Sequence, residues 1–423
     1  MMKTRCTGQR RNICLFALVF AIASVAFLLV VGHFDINSEV RTNHFAVADA
    51  IIHGILPDVE YPPFALVFLT VPRFFADTPG GYEVAFVAQT YVFFIIGLVL
   101  AGKFAKRFNY SQYFAMLAYT VMMLLMLEFV LDRYDIFPMV LTMLSLYCFM
   151  TKRYAWAWLI LSVATMTKLY PAVLVPVYLM IYLVDKEWKG ALKGVAIYVI
   201  TALLIALPIF LLGSDMIQYF FGYHMDRPIQ LESTASSFIS FAAILGLTKV
   251  WAEFGASQSD NLLGAWPDAV EPFLTPLMVT SLLILYVFGG YLLLKLKKSG
   301  RYNENSKMIA LGMISFAAVT LFVIVGKVFS AQYMIWIVPF VLFLLILPID
   351  HILKRRMLII FIAAEVLTQL NFAVNVGIYE GEFNDIGMLI VLARNLLMIA
   401  LLILVANGVR RQLLGDPVDS TDQ

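Results

Sequence analysis

The chain has 423 residues, of which 62% are hydrophobic and 14% are charged, with a net charge of +2. A soluble globular protein is nearer half apolar and a quarter charged, so the composition excludes a soluble domain. We predict a polytopic protein of the cell membrane, with membrane lipid and not nucleic acid among its partners. Its cysteines, Cys6, Cys14 and Cys148, suggest no disulfide framework.

The first apolar run, residues 13–33, follows a basic N-terminus that reads MMKTRCTGQRRN. A secretory signal peptide would end in a small-x-small cleavage site, whereas this run ends in GHFDINS. We therefore interpret the run as a retained first span.

Further apolar runs are long enough, or nearly so, to cross a bilayer. Together they predict an all-α membrane protein with about twelve transmembrane helices. The predicted spans are residues 13–33, 82–102, 112–131, 136–150, 154–168, 171–184, 192–212, 273–295, 307–326, 332–349, 357–374 and 387–407. Two other apolar stretches, 63–76 and 235–248, are too short or interrupted to cross, and the first is expected to be an interfacial or re-entrant helix.

Lysine and arginine residues set the predicted orientation. With a cytoplasmic N-terminus, most of the 30 Lys and Arg fall in cytoplasmic segments, as the positive-inside rule requires. We predict a cytoplasmic N-terminus at 1–12, a single transmembrane domain at 13–407 and a cytoplasmic tail at 408–423. The first outer loop, residues 34–81, would carry short interfacial helices.

Eight basic residues lie outside these cytoplasmic segments. One of them is inside the last predicted span, and the others fall at the outer ends of spans or in outer loops, against the orientation rule. Because the outer loops are long and the inner ones short, we expect an outward-facing working surface. The eight residues are Arg41, Arg73, Arg133, Lys168, Arg227, Lys249, Lys327 and Arg394.

Acidic residues are concentrated in the first outer loop. Asp35 follows the first span directly, so its backbone is anchored near the membrane surface. A carboxylate at such a position can take a proton from an attacking hydroxyl group. Asp49 and Glu60 lie in the same loop, and each of these acids could instead be an ordinary solvated loop residue.

Two outer turns place basic residues beside acids or aromatic residues. In VLDRYDIFPM, Arg133 and Asp135 occupy a tight turn, where an ion pair closing the hairpin is the alternative interpretation. In TMTKLYPAV, Lys168 lies beside Tyr170 and Pro171. This lysine could simply snorkel, but a fixed ammonium at the headgroup level suits a lipid phosphate.

A dense polar segment, YFFGYHMDRPIQLESTASS, carries His224, Arg227 and Glu232 between apolar stretches. Such density at a membrane boundary is costly unless a ligand or a network satisfies these groups. Arg227 can donate two hydrogen bonds to a phosphate. The alternative is a capped loop, with Ser233 or Thr234 opening a helix.

The last such segment, GKVFSAQYMIWIVP, carries Lys327, Gln332, Tyr333 and Trp336. Tyrosine and tryptophan at a membrane interface are usually anchors in the aromatic belt. We therefore interpret Trp336 as an anchor, and we retain the other three as candidate site residues.

All five segments emerge on the outer side in this topology. Proton-accepting carboxylates, cations and an apolar surround together suggest sugar transfer from a lipid phosphate. A carboxylate would take the proton of the acceptor hydroxyl as it attacks the anomeric carbon, and cations would stabilise the departing phosphate. The outer loops show no His and Asp spacing typical of a metal site, and no cofactor is expected.

Five motifs in this order resemble a known group of proteins: EYPPFALVF, DRYDIFPMVL, ATMTKLYPAVLVPVYL, YHMDRPIQLES and GKVFSAQYMIWIVPFVL. Over roughly residues 30–345 the chain is similar to the integral-membrane glycosyltransferases of the GT-C superfamily, and in particular to glycosyltransferase family 87. The resemblance implies a polyprenyl-phosphate sugar donor, often of mannose, and an inverting mechanism. We expect the acceptor to be a hydroxyl group of a glycolipid or a glycan.

The resemblance also implies a catalytic Asp near the end of the first span, with loop helices that would match 45–54 and 62–76. Asp35 is the position that fits, and Asp49 and Glu60 remain its rivals. The residues expected to bind the donor phosphate are Lys168, Arg227, Lys327 and Arg133, and those expected to contact substrate are Tyr61, Asp135, Tyr170, His224, Glu232, Gln332 and Tyr333.

A transporter or flippase of a lipid-linked saccharide is the alternative function. It is supported by polar residues within predicted spans, namely Glu128, Glu365, Asn371, Asn375 and Arg394. Against it, the candidate residues cluster at one membrane face rather than at the midplane, and the chain lacks repeated broken helices.

Cysteine labelling tests the predicted sidedness. In a variant without the native cysteines, an impermeant maleimide applied outside intact cells should react with both Asp35→Cys and Lys168→Cys. A membrane-permeant reagent added afterwards should then label neither position. Lys106→Cys, in a predicted cytoplasmic segment, should not be protected. Access to positions 35 and 168 from opposite compartments would refute the shared outer surface.

Overall fold

The structure is a computed structural model that describes residues 2–34, 38–212, 215–254, 259–375 and 384–415. Within these ranges the chain is predominantly α-helical, and its only sheet is a two-stranded β-hairpin. The predicted all-α class is confirmed in outline. Asp35, the leading candidate for the catalytic base, lies outside the described residues.

The described part of the chain forms a series of helices that overlap all the predicted spans. The α-helices are α1 (Met2–Phe34), α2 (Phe45–Ile52), α3 (Ala65–Thr70), α4 (Pro79–Arg107), α5 (Gln112–Leu125), α6 (Leu127–Asp132), α7 (Ile136–Met150), α8 (Tyr154–Thr167), α9 (Leu174–Asp185), α10 (Trp188–Leu211), α11 (Met216–Asp226), α12 (Thr234–Ile244), α13 (Ala265–Lys298), α14 (Glu304–Val325), α15 (Met334–Ile346), α16 (His351–Asn375) and α17 (Asp385–Leu414). The strands are β1 (Trp251–Phe254) and β2 (Asp260–Leu263), and short 3-10 or π-helical turns lie at Val40–His44, Val71–Phe74, Tyr170–Val173 and Ala331–Tyr333.

Fewer of the described helices are long enough to cross a membrane than the twelve spans that the sequence predicts. Among the described residues, six segments are long and apolar enough to cross a membrane: Gly8–Val30, Pro79–Arg107, Trp188–Leu211, Ala265–Lys298, Glu304–Val325 and Asp385–Leu414. Most of the other predicted spans coincide with apolar helices of 10–17 residues. A 14-residue helix is only about 21 Å long, short of the roughly 30 Å of bilayer hydrocarbon. The protein is therefore multi-pass, while twelve crossings and the orientation remain predictions.

Two predicted spans are interrupted near the segments that carry candidate residues. The run at 112–131 divides at Met126 into α5 and α6. The run at 171–184 begins with a 3-10 turn at Tyr170–Val173 before α9, because Pro171 lacks the N–H group that an α-helical bond requires. The first interruption lies just before Asp132, and the second lies just after Lys168.

The β-hairpin was not predicted from the sequence, and it lies between the predicted spans 192–212 and 273–295. Its strands are antiparallel, with Trp251 opposite Leu263. Each strand has four residues, too few for a clear alternation of apolar and polar side chains. Pairing with the preceding segment stabilises it, since the Leu262 amide donates to the Ile229 carbonyl at 2.9 Å.

The chain divides into two compact units. The first unit comprises residues 1–172, 192–227 and 331–342, and the second comprises 173–191, 228–330 and 343–423. In the first unit α4 packs against α1, α5 and α7, and α7 packs against α8. The loop helices α2 and α3 contact each other and lie where the family resemblance implied them.

The second unit is centred on α14, which packs against α9, α13 and α17 and is buried along most of its length. The helices α16 and α17 pack against each other, and α17 also packs against α14. On α13, by contrast, Ile284 and Val287 are 64% and 75% exposed. Apolar side chains exposed along a long helix are expected where lipid, and not water, surrounds the protein.

Candidate active site

The end of α8 places Lys168 at the centre of the candidate site in the first unit. The helix stops at Thr167, and Lys168 has an extended backbone with φ −158° and ψ 140°. Pro171 prevents the α-helix from continuing through this turn. The lysine side chain therefore leaves the helix end and turns towards the start of α7.

Lys168 forms a buried ion pair with Asp135, whose side chain is 1% exposed. Its Nζ atom lies 2.6 Å from Asp135 Oδ1, and the indole Nε1 of Trp336 donates to the same oxygen at 2.5 Å. Because this ammonium is only 15% exposed and pairs with Asp135, the structure does not support simple snorkelling of Lys168. The second carboxylate oxygen of Asp135 is buried without a hydrogen-bond partner among the described residues.

Aromatic rings surround the Lys168 ammonium. The Nζ atom lies 4.3 Å from the ring centroid of Tyr134 and 5.2 Å from that of Trp336. The Trp336 ring is stacked on Tyr170 at 4.5 Å and on Tyr333 at 3.6 Å. Cation–π attraction of this kind is strongest where water is excluded, so these rings help to fix the ammonium.

Trp336 is therefore not an anchor in the aromatic belt, and that interpretation was wrong. Its side chain is 2% exposed, and its indole N–H is used inside the protein rather than at a headgroup. A buried tryptophan needs such a partner because its N–H group is costly to leave unpaired.

The first outer loop reaches the same turn through Glu39. Arg133 forms an ion pair with Glu39, and the Tyr61 hydroxyl donates to Glu39 Oε1 at 3.4 Å. The alternative of an ion pair between Arg133 and Asp135 finds no direct contact among the described residues, where each pairs with a different partner, although the Asp135 charge acts on Arg133. Glu60 lies within electrostatic range of Lys168.

Asp132 fixes the backbone of residues 38–40, a few positions after Asp35, the predicted catalytic base. Its carboxylate accepts hydrogen bonds from Ser38 Oγ at 2.6 Å and from the Glu39 and Val40 amides at 3.2 and 3.4 Å. This residue ends α6, between the predicted spans 112–131 and 136–150. Burial raises the pKa of Asp132 to about 6, although the Ser38 hydrogen bond opposes the shift.

His44 lies beside this anchor and is completely buried. Its ring contacts Phe86, Tyr134 and Tyr61, with centroid distances of 5.5, 6.0 and 6.1 Å. Burial lowers the pKa of His44 to about 4, against the attraction of Asp132. The imidazole is therefore uncharged near neutral pH and packs as part of the aromatic wall.

Two further contacts join the motif segments within the first unit. The Phe64 amide, in EYPPFALVF, donates to the Met166 carbonyl in ATMTKLYPAV at 2.8 Å. Arg227 lies over the Tyr223 ring at 5.6 Å and interacts electrostatically with Tyr333. Residues from all five quoted segments therefore meet in this unit, as a shared site requires.

The remaining predicted cation, Lys327, belongs to the second unit. Its Nζ atom lies 2.8 Å from Glu271 Oε1. Glu232, a predicted substrate contact, accepts from Asn371 Nδ2 at 2.9 Å and from Arg394 Nη1 at 3.3 Å. Two of the polar residues that supported a transporter are thus partners of an outer-loop carboxylate.

Other predicted residues have less specific surroundings. Asp49, a rival for the base, binds Arg73 at 3.0 Å. His224 is exposed, with its ring 4.6 Å from that of Phe220, and Gln332 is half-buried in a 3-10 turn. The predicted cap is confirmed, since Ser233 Oγ accepts from the Ser236 amide at 3.1 Å and opens α12.

Sequence reasoning missed Asp132, Glu39 and His44 as members of the cluster. Asp132 directly precedes Arg133 in VLDRYDIFPM, so its place in that turn was the available signal. No sequence feature pointed to the buried state of His44. Across the described residues, no three His, Cys, Asp or Glu side chains form a group that could hold a metal ion.

Comparisons with known proteins give a family and a structural relative. The model of "Glycosyltransferase family 87" matches residues 60–323, more than half of the chain. Among solved structures, ArnT from Cupriavidus metallidurans, crystallised with undecaprenyl phosphate, is similar with a TM-score of 0.43 and 15% identity, covering 93% of this chain and 77% of that chain. No curated protein matches the chain in sequence.

The raised pKa of Asp132 predicts a pH dependence. Above pH 6 the charged carboxylate holds residues 38–40, whereas protonation as the pH falls through about 6 weakens its three hydrogen bonds. Activity should therefore fall below pH 6. In Asp132→Asn, activity should be lower at neutral pH and lack this step, because the neutral amide does not titrate.

Profiles of kcat/KM against pH for the two proteins would check this prediction. The other charged groups near Asp132 are His44, Glu83, Glu128 and Arg133, and His44 changes charge only near pH 4. A step near pH 6 that persists in Asp132→Asn would assign the titration to another group.

Proposed function

The chain belongs to glycosyltransferase family 87, a membrane glycosyltransferase family, and from this premise we propose its reaction. The protein transfers a hexose, mannose in the leading case, from a polyprenyl-phosphate donor to a hydroxyl group of a glycolipid or glycan. The transfer occurs on the outer face of the membrane and inverts the configuration at the anomeric carbon.

The buried cluster around Lys168 is the observation that carries this proposal. An ammonium has three N–H donors, and its hydrogen bond to Asp135 uses one of them. Held by Asp135 and the aromatic rings, the charge is fixed in a low-dielectric site before substrate binds. Preorganised charges of this kind stabilise a developing anion far better than solvated ones.

In the proposed step, the acceptor oxygen forms a bond to the anomeric carbon as the bond between that carbon and the phosphate oxygen breaks. The electron pair of the broken bond leaves with the polyprenyl phosphate. Lys168, Arg227 and Arg133, which all lie in the first unit, are proposed to stabilise the charge on this phosphate. Lys327, in the second unit, is a proposed phosphate contact that rests on the family resemblance alone. The unpartnered Oδ2 atom of Asp135 is a suitable acceptor for a sugar hydroxyl group.

A carboxylate of the first outer loop is proposed to take the acceptor proton. Asp35 has this role in the family resemblance, and Glu60 is its rival because its charge acts on both Lys168 and Tyr134. Asp49 is the weaker rival, since Arg73 occupies its carboxylate. The Asp132 anchor supports the proposal because it holds residues 38–40 beside the cluster.

Family membership and the polar contacts favour transfer over transport. In the second unit, Arg394 and Asn371 donate to Glu232 and are accounted for as structural partners. A transporter would need a sealed compartment to show activity, whereas an enzyme would not. Transfer by detergent-solubilised protein therefore separates the two functions.

Purified protein in detergent should transfer labelled hexose from a polyprenyl-phosphate donor to an acceptor extracted from the membrane. Asp35→Asn should abolish transfer while retaining donor binding, because the amide cannot take the proton. Glu60→Gln should then retain measurable turnover. Product mass spectrometry and donor-binding titration are the measurements.

Asp77→Asn is the control for this comparison, because Asp77 is an exposed acid that pairs only with Arg73 among its described ion pairs. Near-normal transfer by Asp35→Asn, together with inactive Glu60→Gln, would move the role of base to Glu60. Absence of transfer by the wild-type protein with every polyprenyl-phosphate hexose would overturn the proposed donor.

The proposed phosphate contact of Arg227 makes a separate prediction. Arg227→Ala should lower kcat/KM for the donor by roughly 100–1000-fold, the usual effect of losing one such contact. Arg227→Lys should restore part of the loss, because it keeps the charge but not the paired donors. Lys249→Ala, an exposed outer-loop lysine, is the matched control. Wild-type donor kinetics in Arg227→Ala would refute the phosphate assignment.

A further inference from the structure

Arg394 is a completely buried arginine in the last helix, α17. All of its guanidinium nitrogens donate hydrogen bonds within the second unit. Its Nη2 atom donates to the Glu232 carbonyl at 2.7 Å and to the Phe329 carbonyl at 3.3 Å. Its Nε atom donates to Asn395 Oδ1 at 3.0 Å, and Nη1 lies 3.3 Å from Glu232 Oε2.

These bonds hold two loops at once. Glu232 lies in the segment before α12, and Phe329 lies in the segment between α14 and α15. The guanidinium is also stacked over the Phe329 ring, with its carbon 4.1 Å from the ring centroid. A single side chain of α17 therefore connects two loops that are about a hundred residues apart in sequence.

The two loops are also bonded directly to each other. The Gln230 amide donates to the Lys327 carbonyl at 3.0 Å, and Gln230 Oε1 accepts from the Phe329 amide at 2.9 Å. Asn395 adds hydrogen bonds to the Glu232 and Ser233 carbonyls, each at 3.3 Å. The backbone from Lys327 to Phe329 is thus fixed by the buried residues Gln230 and Arg394.

Burying a guanidinium in an apolar helix pair is costly unless each donor is satisfied. Apart from Asn395 in the same helix, the partners of Arg394 are two backbone carbonyls and one carboxylate of the loops before α12 and after α14. An arginine with a purely helical packing role would not require these loop contacts. The hydrogen bonds of Arg394 therefore hold these two loops in position.

We propose that Arg394 is a positioning residue for Lys327, a proposed contact of the donor phosphate, because it fixes the loop that carries this lysine. The inference rests on the proposed function, in which Lys327 binds the donor phosphate. It extends the working part of the protein to α16 and α17, which lie beyond residues 60–323 matched by the family model. Arg394 itself does not touch the substrate.

Kinetics of Arg394→Gln in purified protein test the proposal. The KM for a polyprenyl-phosphate hexose should rise roughly 10–100-fold, the range expected when a contact is displaced by about an ångström, with a smaller change in kcat. Arg394→Lys should recover little of this affinity, because one ammonium cannot reach all the acceptors. Wild-type donor KM in Arg394→Gln would overturn the proposal.

Loss of stability is separated from loss of position by a second variant. Arg394→Gln alone leaves the half-buried Glu232 carboxylate without its cation. The double variant Arg394→Gln/Glu232→Gln removes both charges, so its melting temperature should recover, while its donor KM should stay above that of Glu232→Gln alone, which is the reference because Glu232 is itself a predicted substrate contact. Recovery of both quantities together would show a purely structural role and would overturn the proposal.

Glu365→Gln is the matched control, since Glu365 is a completely buried carboxyl group in α16 with no hydrogen-bond partner in the described residues. Its donor KM should be unchanged. A raised donor KM in this control would attribute the Arg394 effect to the helix pair in general and would count against the loop contacts.

Lys327→Ala distinguishes failure of this inference from failure of the proposed function. If Lys327→Ala raises the donor KM and Arg394→Gln adds nothing further in that background, both ideas are supported. If the two effects multiply, Arg394 acts independently of Lys327 and the inference is overturned alone. A normal donor KM in Lys327→Ala would remove Lys327 from the phosphate site and overturn both.

Discussion

The buried ion pair between Lys168 and Asp135 is the constraint on which the rest of the candidate site depends. It joins the end of α8 to the start of α7, and Trp336 at the start of α15 donates to the same carboxylate oxygen. Removing either charge would leave the other buried, at a typical cost of about 3–5 kcal/mol. Three helix ends are therefore held at one point by groups that also suit the chemistry.

The second unit follows the same physical rule. In apolar surroundings a charged group must find its partners inside the protein, and Arg394 finds them in the loops that contain Glu232 and Phe329. The result is loop backbone that is rigid although it carries polar side chains. Such rigidity is what electrostatic stabilisation of a departing phosphate requires, because the charges do not have to reorganise during the reaction.

Sequence reasoning identified segments whose polar side chains meet in the structure, but it did not identify their partners. Lys168, Asp135 and Arg133 do meet, but Arg133 pairs with Glu39 and not with Asp135. Trp336 has the composition of a belt residue, yet it is buried and donates to Asp135. Asp132 was overlooked because a carboxylate that binds backbone amides looks, in sequence, like any other acid in a turn.

The amino-acid sequence by itself determined the membrane class, the helical runs, their breaks near prolines and the membership of glycosyltransferase family 87. These are properties of local composition, periodicity and motif order, which are read over short stretches of chain. Only the tertiary structure decided which charges pair, which aromatic ring is buried and which loop a helix side chain fixes. Asp135 is 33 residues from Lys168 and 201 residues from Trp336, and electrostatic partners are chosen by distance in space and by exclusion of water, neither of which hydropathy along the chain records.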